Sequence, residues 1–179
     1  MKKSLLALAS GTLGLGIAEF VMMGILPNVA SDMGISIPQA GHFISAYALG
    51  VCVGAPLAAA FSQNRSLKQV LLALSLIYII GNFCAALSVG YGMLLCMRFI
   101  SGLPHGAFFG AGSIVAEKVA DKGKASRAVS VMIAGMTIAN LFGVPLGTML
   151  SNLISWRVPF LFNTVWGVLM FVLIWRWIP

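Results

Sequence analysis

Apolar residues fill six long stretches of this chain, and the polar residues gather in the short segments between them. Residues 33–64, 69–97 and 128–156 contain no charged side chain. A helix needs roughly 20 apolar residues to cross the ~30 Å hydrocarbon layer of a bilayer, so each stretch has the length of a membrane span. The pattern predicts an all-α membrane protein of one domain, residues 1–179, with six spans at residues 5–27, 40–61, 70–87, 91–115, 128–150 and 158–178.

The composition supports this prediction, because 60% of the residues are hydrophobic and only 8% are charged. A water-soluble domain of 179 residues could not bury that much apolar surface. The three cysteines lack the spacing of metal ligands, and the sequence contains no Gly-x-x-x-x-Gly-Lys-Ser/Thr loop. We therefore expect no cofactor, no metal and no direct coupling to ATP.

The basic residues predict the orientation of the chain, since Lys and Arg are enriched in cytoplasmic loops. With six spans, Arg157 falls in a loop on one side and Arg98 falls within a span. Both termini are thus predicted to be cytoplasmic. The same asymmetry explains the net charge of +7, which gives no reason to expect a nucleic-acid partner. The other basic residues lie on the predicted cytoplasmic side: Lys2, Lys3, Arg65, Lys68, Lys118, Lys122, Lys124, Arg127 and Arg176.

Small residues recur at every fourth position in three of the spans. Positions four apart share one face of a helix, and small side chains there let two helix backbones approach closely. The rows predict a tightly packed bundle embedded in lipid. They are Ala46, Gly50, Gly54 and Ala58 in the second span, Gly102, Gly106 and Gly110 in the fourth, and Gly135, Ala139, Gly143 and Gly147 in the fifth.

Two short patterns occur in both halves of the chain. Because the first and fourth spans run in opposite directions, the match indicates three helices repeated in inverted orientation. Such 3+3 inverted repeats build the halves of secondary transporters, which favours a transport function. In the matched positions, Gly16, Glu19 and Gly24 correspond to Gly102, His105 and Gly110, and Gly54 and Pro56 correspond to Gly143 and Pro145.

Two charged residues lie inside the predicted spans. At 1.5 Å per residue, Glu19 lies ~13 Å below Asn28 and Arg98 lies ~10 Å below Tyr91, depths that allow an ion pair or a water-bridged contact. A charge at depth costs about 2.5–3.5 kcal/mol on insertion scales, so an unpaired carboxylate tends to bind a proton or a cation. We expect Glu19 to carry protons, with a permanent structural salt bridge as the alternative. For Arg98 we favour the structural salt bridge, with adjustment of the proton affinity of Glu19 as the alternative.

His105 is the third polar residue at depth. It could relay protons, bind substrate, or donate to the backbone carbonyl that Pro104 leaves free, since proline has no N–H. We favour a structural or cavity-lining role. Further candidates for a substrate cavity are the polar Tyr47 and Asn140 and the apolar Met23 and Phe109.

Three stretches carry a resemblance to a known family: residues 18–27, residues 105–110, and Ser155-Trp156-Arg157. On these the chain resembles the N-terminal six-helix half of the major facilitator superfamily. More narrowly, it is similar to the drug/sugar efflux branch, the arabinose efflux permease (AraJ-like) proteins. The loop between the second and third spans departs from the family pattern, because residues 62–68 keep basic charge but lack the usual acid.

The resemblance implies a function for several residues. Arg98 and Gly102 fall where the family has an Arg-x-x-x-Gly motif linked to proton coupling. The stretch from Gly135 to Gly147, with Gly143-x-Pro145-x-Gly147, is similar to the antiporter motif associated with export. By this similarity the chain is expected to belong to a proton-coupled antiporter that exports small molecules such as sugars or drugs, in a bacterial inner membrane.

The expected partner is a second six-helix bundle, either a C-terminal half or a second copy of this chain. Two alternatives remain open from the sequence: an inactive fragment, and a half-size transporter that must homodimerise. An intramembrane enzyme is disfavoured, since a rhomboid-type protease needs Gly-x-Ser-Gly and a late histidine. Here Gly110-Ala111-Gly112-Ser113 has a different order, and the last span has no histidine.

Overall fold

The computed structural model describes residues 3–179, and in that range it contains helices and no strand. Six helical segments are long and apolar enough to cross a membrane, which confirms the predicted all-α class. The fifth span combines two α-helices and a π-helical turn. The elements are α1 Lys3–Met33, α2 Ile37–Ser62, α3 Leu67–Ala86, α4 Tyr91–Val119, α5 Ala125–Ile138, the π-turn Ala139–Gly143, α6 Val144–Leu153 and α7 Val158–Trp177.

Most helices continue beyond the predicted spans, because hydrogen bonding along the backbone does not stop where the apolar sequence does. The helix α1 runs through Pro27 to Met33, and α4 ends at Val119. Serine caps fix the starts of α2 and α3: Ser36 and Ser66 each form a capping box with the glutamine three residues later. Of the basic residues used to predict orientation, Lys2 lies outside the described residues.

The fifth span is not the single regular helix that its apolar stretch predicted. A π-helical turn at Ala139–Gly143 separates α5 from α6. Pro145, near the start of α6, has no N–H to donate to the carbonyl one turn earlier, so the regular ladder is interrupted there. The π-helical turn directly before the proline accommodates the missing hydrogen bond, so the span continues as a helix on both sides.

The contacts between helices follow a two-fold pattern. In an inverted repeat the first, second and third spans are equivalent to the fourth, fifth and sixth. The packing of α1 on the fifth span is then equivalent to the packing of α4 on α2. In the same way α3–α4 corresponds to α7–α1, and α3–α7 corresponds to itself. This pattern agrees with the 3+3 inverted repeat that the sequence patterns predicted.

Glycines let the paired helices meet at backbone distance. A Cβ atom on Gly54 or Gly102 would overlap the carbonyl oxygen of Leu103 or Tyr47, respectively. The row in the fifth span packs on α1 in the same manner, since Cβ atoms at Gly135, Gly143 and Gly147 would overlap residues of that helix. These contacts agree with close packing at most positions of the rows, whereas Gly110, in the row of the fourth span, has no atom within 4 Å of a Cβ.

At the end of the bundle opposite to the termini, a small group of hydrogen bonds links the end of α1 with the segments that precede α4 and α7. Asp32 Oδ2 accepts from Trp156 Nε1 at 2.8 Å and from Arg157 Nη1 at 3.1 Å. Arg157 Nη2 also donates to the carbonyl of Ser88 at 2.9 Å. The ion pair between Asp32 and Arg157 is about half exposed, so it adds little stability. Together with the bond to Ser88 it links the ends of α1, α4 and α7.

Replacing Gly102 by alanine tests this close packing. We expect Gly102→Ala to lower the free energy of unfolding by about 1–3 kcal/mol, because its Cβ has no room against α2. Gly110→Ala is the matched control: no atom lies within 4 Å of a Cβ there, so the change should be neutral or slightly stabilising. Thermal or denaturant unfolding in detergent measures both, and equal effects would contradict the prediction.

Candidate functional site

Arg98 lies at the centre of the bundle and is fully buried. Its Nη1 donates to the carbonyl of Ala18 at 2.8 Å, and its Nε donates to the carbonyl of Phe43 at 3.3 Å. The guanidinium carbon also lies 4.4 Å from the centre of the Tyr47 ring. A flat cation with five donors can satisfy such contacts on several sides, whereas a lysine could not. Arg98 therefore joins α4 to α1 and α2.

The direct contact expected between Glu19 and Arg98 is not formed within the described part of the chain. Arg98 instead binds the carbonyl of Ala18, the residue before Glu19. Among residues 3–179, Nη2 of Arg98 has no hydrogen-bond partner. Backbone carbonyls and an aromatic face, rather than a carboxylate, hold this cation, because α1 presents its backbone to Arg98 at this level.

His105 is the residue that contacts Glu19. Its Nε2 lies 3.6 Å from Glu19 Oε2, and its Nδ1 lies 3.0 Å from the Tyr47 hydroxyl. The Tyr47 hydroxyl in turn donates to the carbonyl of Leu15 at 3.4 Å. The ring nitrogens of His105 thus face two side chains, and not the backbone carbonyl that was one of its possible partners. We call Glu19, Tyr47, Arg98 and His105 the polar cluster.

The inverted repeat explains why Glu19 and His105 meet. They occupy equivalent positions in the first and fourth spans, as the matched patterns of the sequence indicate. Because α1 and α4 pack against each other across the centre of the bundle, equivalent residues at this depth face one another. One copy of the repeat provides a carboxylate and the other provides an imidazole, which makes the site chemically asymmetric.

The polar cluster opens to one face of the bundle through Glu19. The Glu19 side chain is 32% exposed, whereas the His105 side chain is 7% exposed. Phe109, one turn after His105 on α4, stacks on the imidazole at a centroid distance of 5.3 Å. Met23, one turn after Glu19 on α1, is 55% exposed. The Glu19 side chain is thus part-exposed beside apolar side chains, while its Oε2 is buried near His105 and has no hydrogen-bond partner within residues 3–179.

The predicted site residues separate into two groups. The structure brings Glu19, Tyr47, Arg98, His105 and Phe109 together, and Met23 lies on the same face of α1 as Glu19. Asn140 lies apart from them, exposed in the π-turn of the fifth span. Pro145 is also exposed, while Gly135, Gly143 and Gly147 are buried against α1.

A second buried polar group was missed by the sequence analysis. Tyr78 donates to the carbonyl of Gly14 at 2.8 Å, and Asn82 Nδ2 donates to the carbonyl of Tyr78 at 2.9 Å. Asn163 of α7 faces Asn82 at 3.5 Å. Two asparagines within otherwise apolar spans were an available signal, since a buried amide needs partners. These residues fasten α3 to α1 and α7.

Six spans in a 3+3 inverted repeat around a buried polar cluster are the architecture of one half of a secondary transporter. The chain belongs to the Major Facilitator Superfamily, whose family model matches residues 8–179. No group of three or more His, Cys, Asp or Glu side chains that could hold a metal ion occurs in residues 3–179.

Several relatives share most of the chain. AraJ of Escherichia coli (strain K12) is 52% identical over 179 residues, which is 100% of this chain and 45% of AraJ. The inner membrane transport protein YdhP of the same organism is 45% identical over 168 residues, 94% of this chain and 43% of YdhP. A protein of Helicobacter pylori (strain P12) named "Probable sugar efflux transporter" is 27% identical over 163 residues, 90% of this chain and 41% of that protein.

Solved structures of the superfamily share the fold. The proton:xylose symporter XylE superposes with a TM-score of 0.86 over 97% of this chain and 44% of XylE, at 14% identity. At this identity the likeness shows the fold alone. The chain spans less than half the length of each of these relatives.

Arg98→Lys tests whether the guanidinium holds the bundle together. We expect a loss of about 1.5–3 kcal/mol in the free energy of unfolding, because an ammonium cannot serve the Ala18 and Phe43 carbonyls together while stacking on Tyr47. Arg127→Lys, the same change at an exposed position, is the control and should alter stability by less than about 0.5 kcal/mol. Unfolding in detergent measures both; an unaffected Arg98→Lys would contradict this role.

Proposed function

We propose that this six-helix unit is the N-terminal half of a proton-coupled antiporter that exports small molecules, and that Glu19 carries the proton. The observation behind the proposal is the position of Glu19: its carboxylate is part-exposed on one side and contacts the buried His105 on the other. A proton carrier has to exchange protons with water and also report its protonation state to the interior. The partial exposure of Glu19 and its contact with His105 support this role.

Coupling follows from the cost of an unpaired carboxylate in a membrane. Glu19 is stable when it holds a proton, or when a bound molecule supplies donors or positive charge to it. A proton and a substrate would then occupy the same position in turn, which is the requirement for exchange. His105 and Tyr47 act as positioning residues in this proposal: His105 Nε2 lies 3.6 Å from the carboxylate, the Tyr47 hydroxyl contacts the imidazole, and Arg98 lies over the Tyr47 ring.

The substrate proposed is a small molecule with little net charge, such as a sugar or an amphipathic drug. Glu19 is the one acid at this depth, and its neighbours Met23 and Phe109 offer adaptable apolar contact. Export is the direction supported by the sugar efflux relative and by the resemblance of Gly135–Gly147 to the antiporter motif. Asn140, exposed on the fifth span, is proposed to contact substrate from a different side of the cavity.

The proposed partner is a second six-helix bundle. Alternating access requires two bundles that move around a central site, and each relative is more than twice as long as the matched segment. A C-terminal half therefore has more support than a second copy of this chain. The proposed location is a bacterial inner membrane, as the name of YdhP suggests, with both termini cytoplasmic.

A hydrolytic function has no support from the geometry of Ser113. Its hydroxyl donates to the carbonyl of Phe109 at 2.8 Å, one turn earlier in the same helix. A nucleophilic serine needs a base within hydrogen-bonding reach instead.

Glu19→Gln tests the proposal in the natural full-length protein. In everted membrane vesicles, we expect the variant to lose substrate-dependent proton movement at least tenfold, while substrate exchange in the absence of a proton gradient continues. The amide keeps the size of the side chain but cannot release a proton. A fluorescent pH probe and radiolabelled substrate give the two readouts.

Glu117→Gln is the matched control, because it makes the same chemical change at an exposed position near the end of α4. It should transport as the wild type does. Normal proton coupling in Glu19→Gln would refute the carrier role, whereas loss of both exchange and coupling together with reduced stability would favour a permanent structural role for Glu19.

A further inference from the structure

A groove separates α2 from α3 at the end of the bundle that carries the α2–α3 connection. The two helices make few contacts with each other, since both pack mainly on α4. The space between them has a volume of about 600 Å³ and ends inward where Gly54 meets Leu103. From Gln69 to Ile77 it extends about 12 Å along α3, close to the depth of one ~15 Å leaflet.

The walls of this groove change from apolar to basic towards its mouth. Leu57, Ala73 and Ile77 line the deeper part of the groove. Phe61, which is 80% exposed, lies nearer its mouth. Arg65 lies at the mouth. This arrangement matches an acyl chain below a charged headgroup.

The charge at the mouth is positive and unopposed. The connection from residue 62 to residue 68 contains Arg65 and Lys68 but no acid. No carboxylate within residues 3–179 forms an ion pair with Arg65. A guanidinium at the membrane boundary without a carboxylate partner is well suited to bind a phosphate, to which it can donate two parallel hydrogen bonds.

We infer that this groove is a binding site for one anionic glycerophospholipid, with its phosphate at Arg65 and an acyl chain between α2 and α3. A lipid with a zwitterionic headgroup fits less well, because its ammonium group would lie close to the Arg65 guanidinium. A helix from another bundle is the alternative occupant. The charge at the mouth favours the lipid, because an apolar helix would give Arg65 no anionic partner. The site does not depend on the proposed transport function.

Native mass spectrometry of the full-length protein in detergent tests the site. The protein is titrated with phosphatidylglycerol and, separately, with phosphatidylethanolamine of the same acyl chains. We expect one phosphatidylglycerol to bind at least fivefold more tightly than phosphatidylethanolamine. Arg65→Gln should weaken phosphatidylglycerol binding about fivefold, the effect typical of one basic residue at a lipid headgroup. Arg176→Gln removes an exposed arginine elsewhere on the same predicted side, and should change the affinity less than twofold.

A variant that fills the groove tests whether the acyl chain lies inside it, or whether the lipid is only attracted by the positive charge. Ala73 is exposed on the groove wall, so Ala73→Trp should fold normally but lower phosphatidylglycerol binding at least fivefold with Arg65 intact. If its melting temperature falls, Ala73→Leu serves instead. Unchanged binding in Arg65→Gln or in the filled variant, or equal affinity for both lipids, would overturn the inference. So would a wild type that binds no phosphatidylglycerol, since another helix would then cover the groove.

Discussion

The burial of one arginine is the constraint on which the centre of this bundle depends. Removing a guanidinium from water costs several kcal/mol, and the cost must be offset by contacts that hold it in one place. Arg98 obtains them from the backbone of α1 and α2 and from the ring of Tyr47. Backbone carbonyls cannot be lost by mutation of a side chain.

The remaining parts of the site follow from this anchor. Arg98 fixes the ring of Tyr47, whose hydroxyl contacts His105, and His105 contacts Glu19. The glycine rows bring α2 close enough to α4, and the fifth span close enough to α1, for these contacts to form. The inverted repeat then places one acid and one imidazole at equivalent depth. A symmetric backbone thus supports an asymmetric pair of ionisable groups.

The sequence was sufficient to predict the features that follow from a regular pattern of residue types. Apolar stretches identified the six spans, and small residues at every fourth position identified the faces that pack. Contacts between side chains distant in sequence were harder to predict. The depths of Glu19 and Arg98 were estimated along each helix, but the rotation of each helix about its axis decides which side chains meet. For this reason the sequence indicated Tyr47 and His105 as separate candidates but could not predict that their side chains are in contact.

The sequence also did not predict where the helices end or where the irregular turn lies. Hydropathy marks the boundary of the membrane, while caps such as Ser36 and Ser66 mark the boundary of the helix, and the two differ by several residues. The π-turn at Ala139–Gly143 left no clear mark beyond Pro145, because prolines also occur within helices, as Pro27, Pro56 and Pro104 do here.

Infrared spectroscopy of the Glu19 carboxyl in lipid vesicles, recorded as the external pH is varied and identified by comparison with Glu19→Gln, tests the central claim most directly. A proton carrier must change its protonation state within the range in which the protein works. The proposal predicts a carboxylic acid band assigned to Glu19 that disappears as the pH rises and returns when it falls. A carboxylate that stays ionised across that range would contradict the proposal and leave Glu19 as a permanent partner of His105.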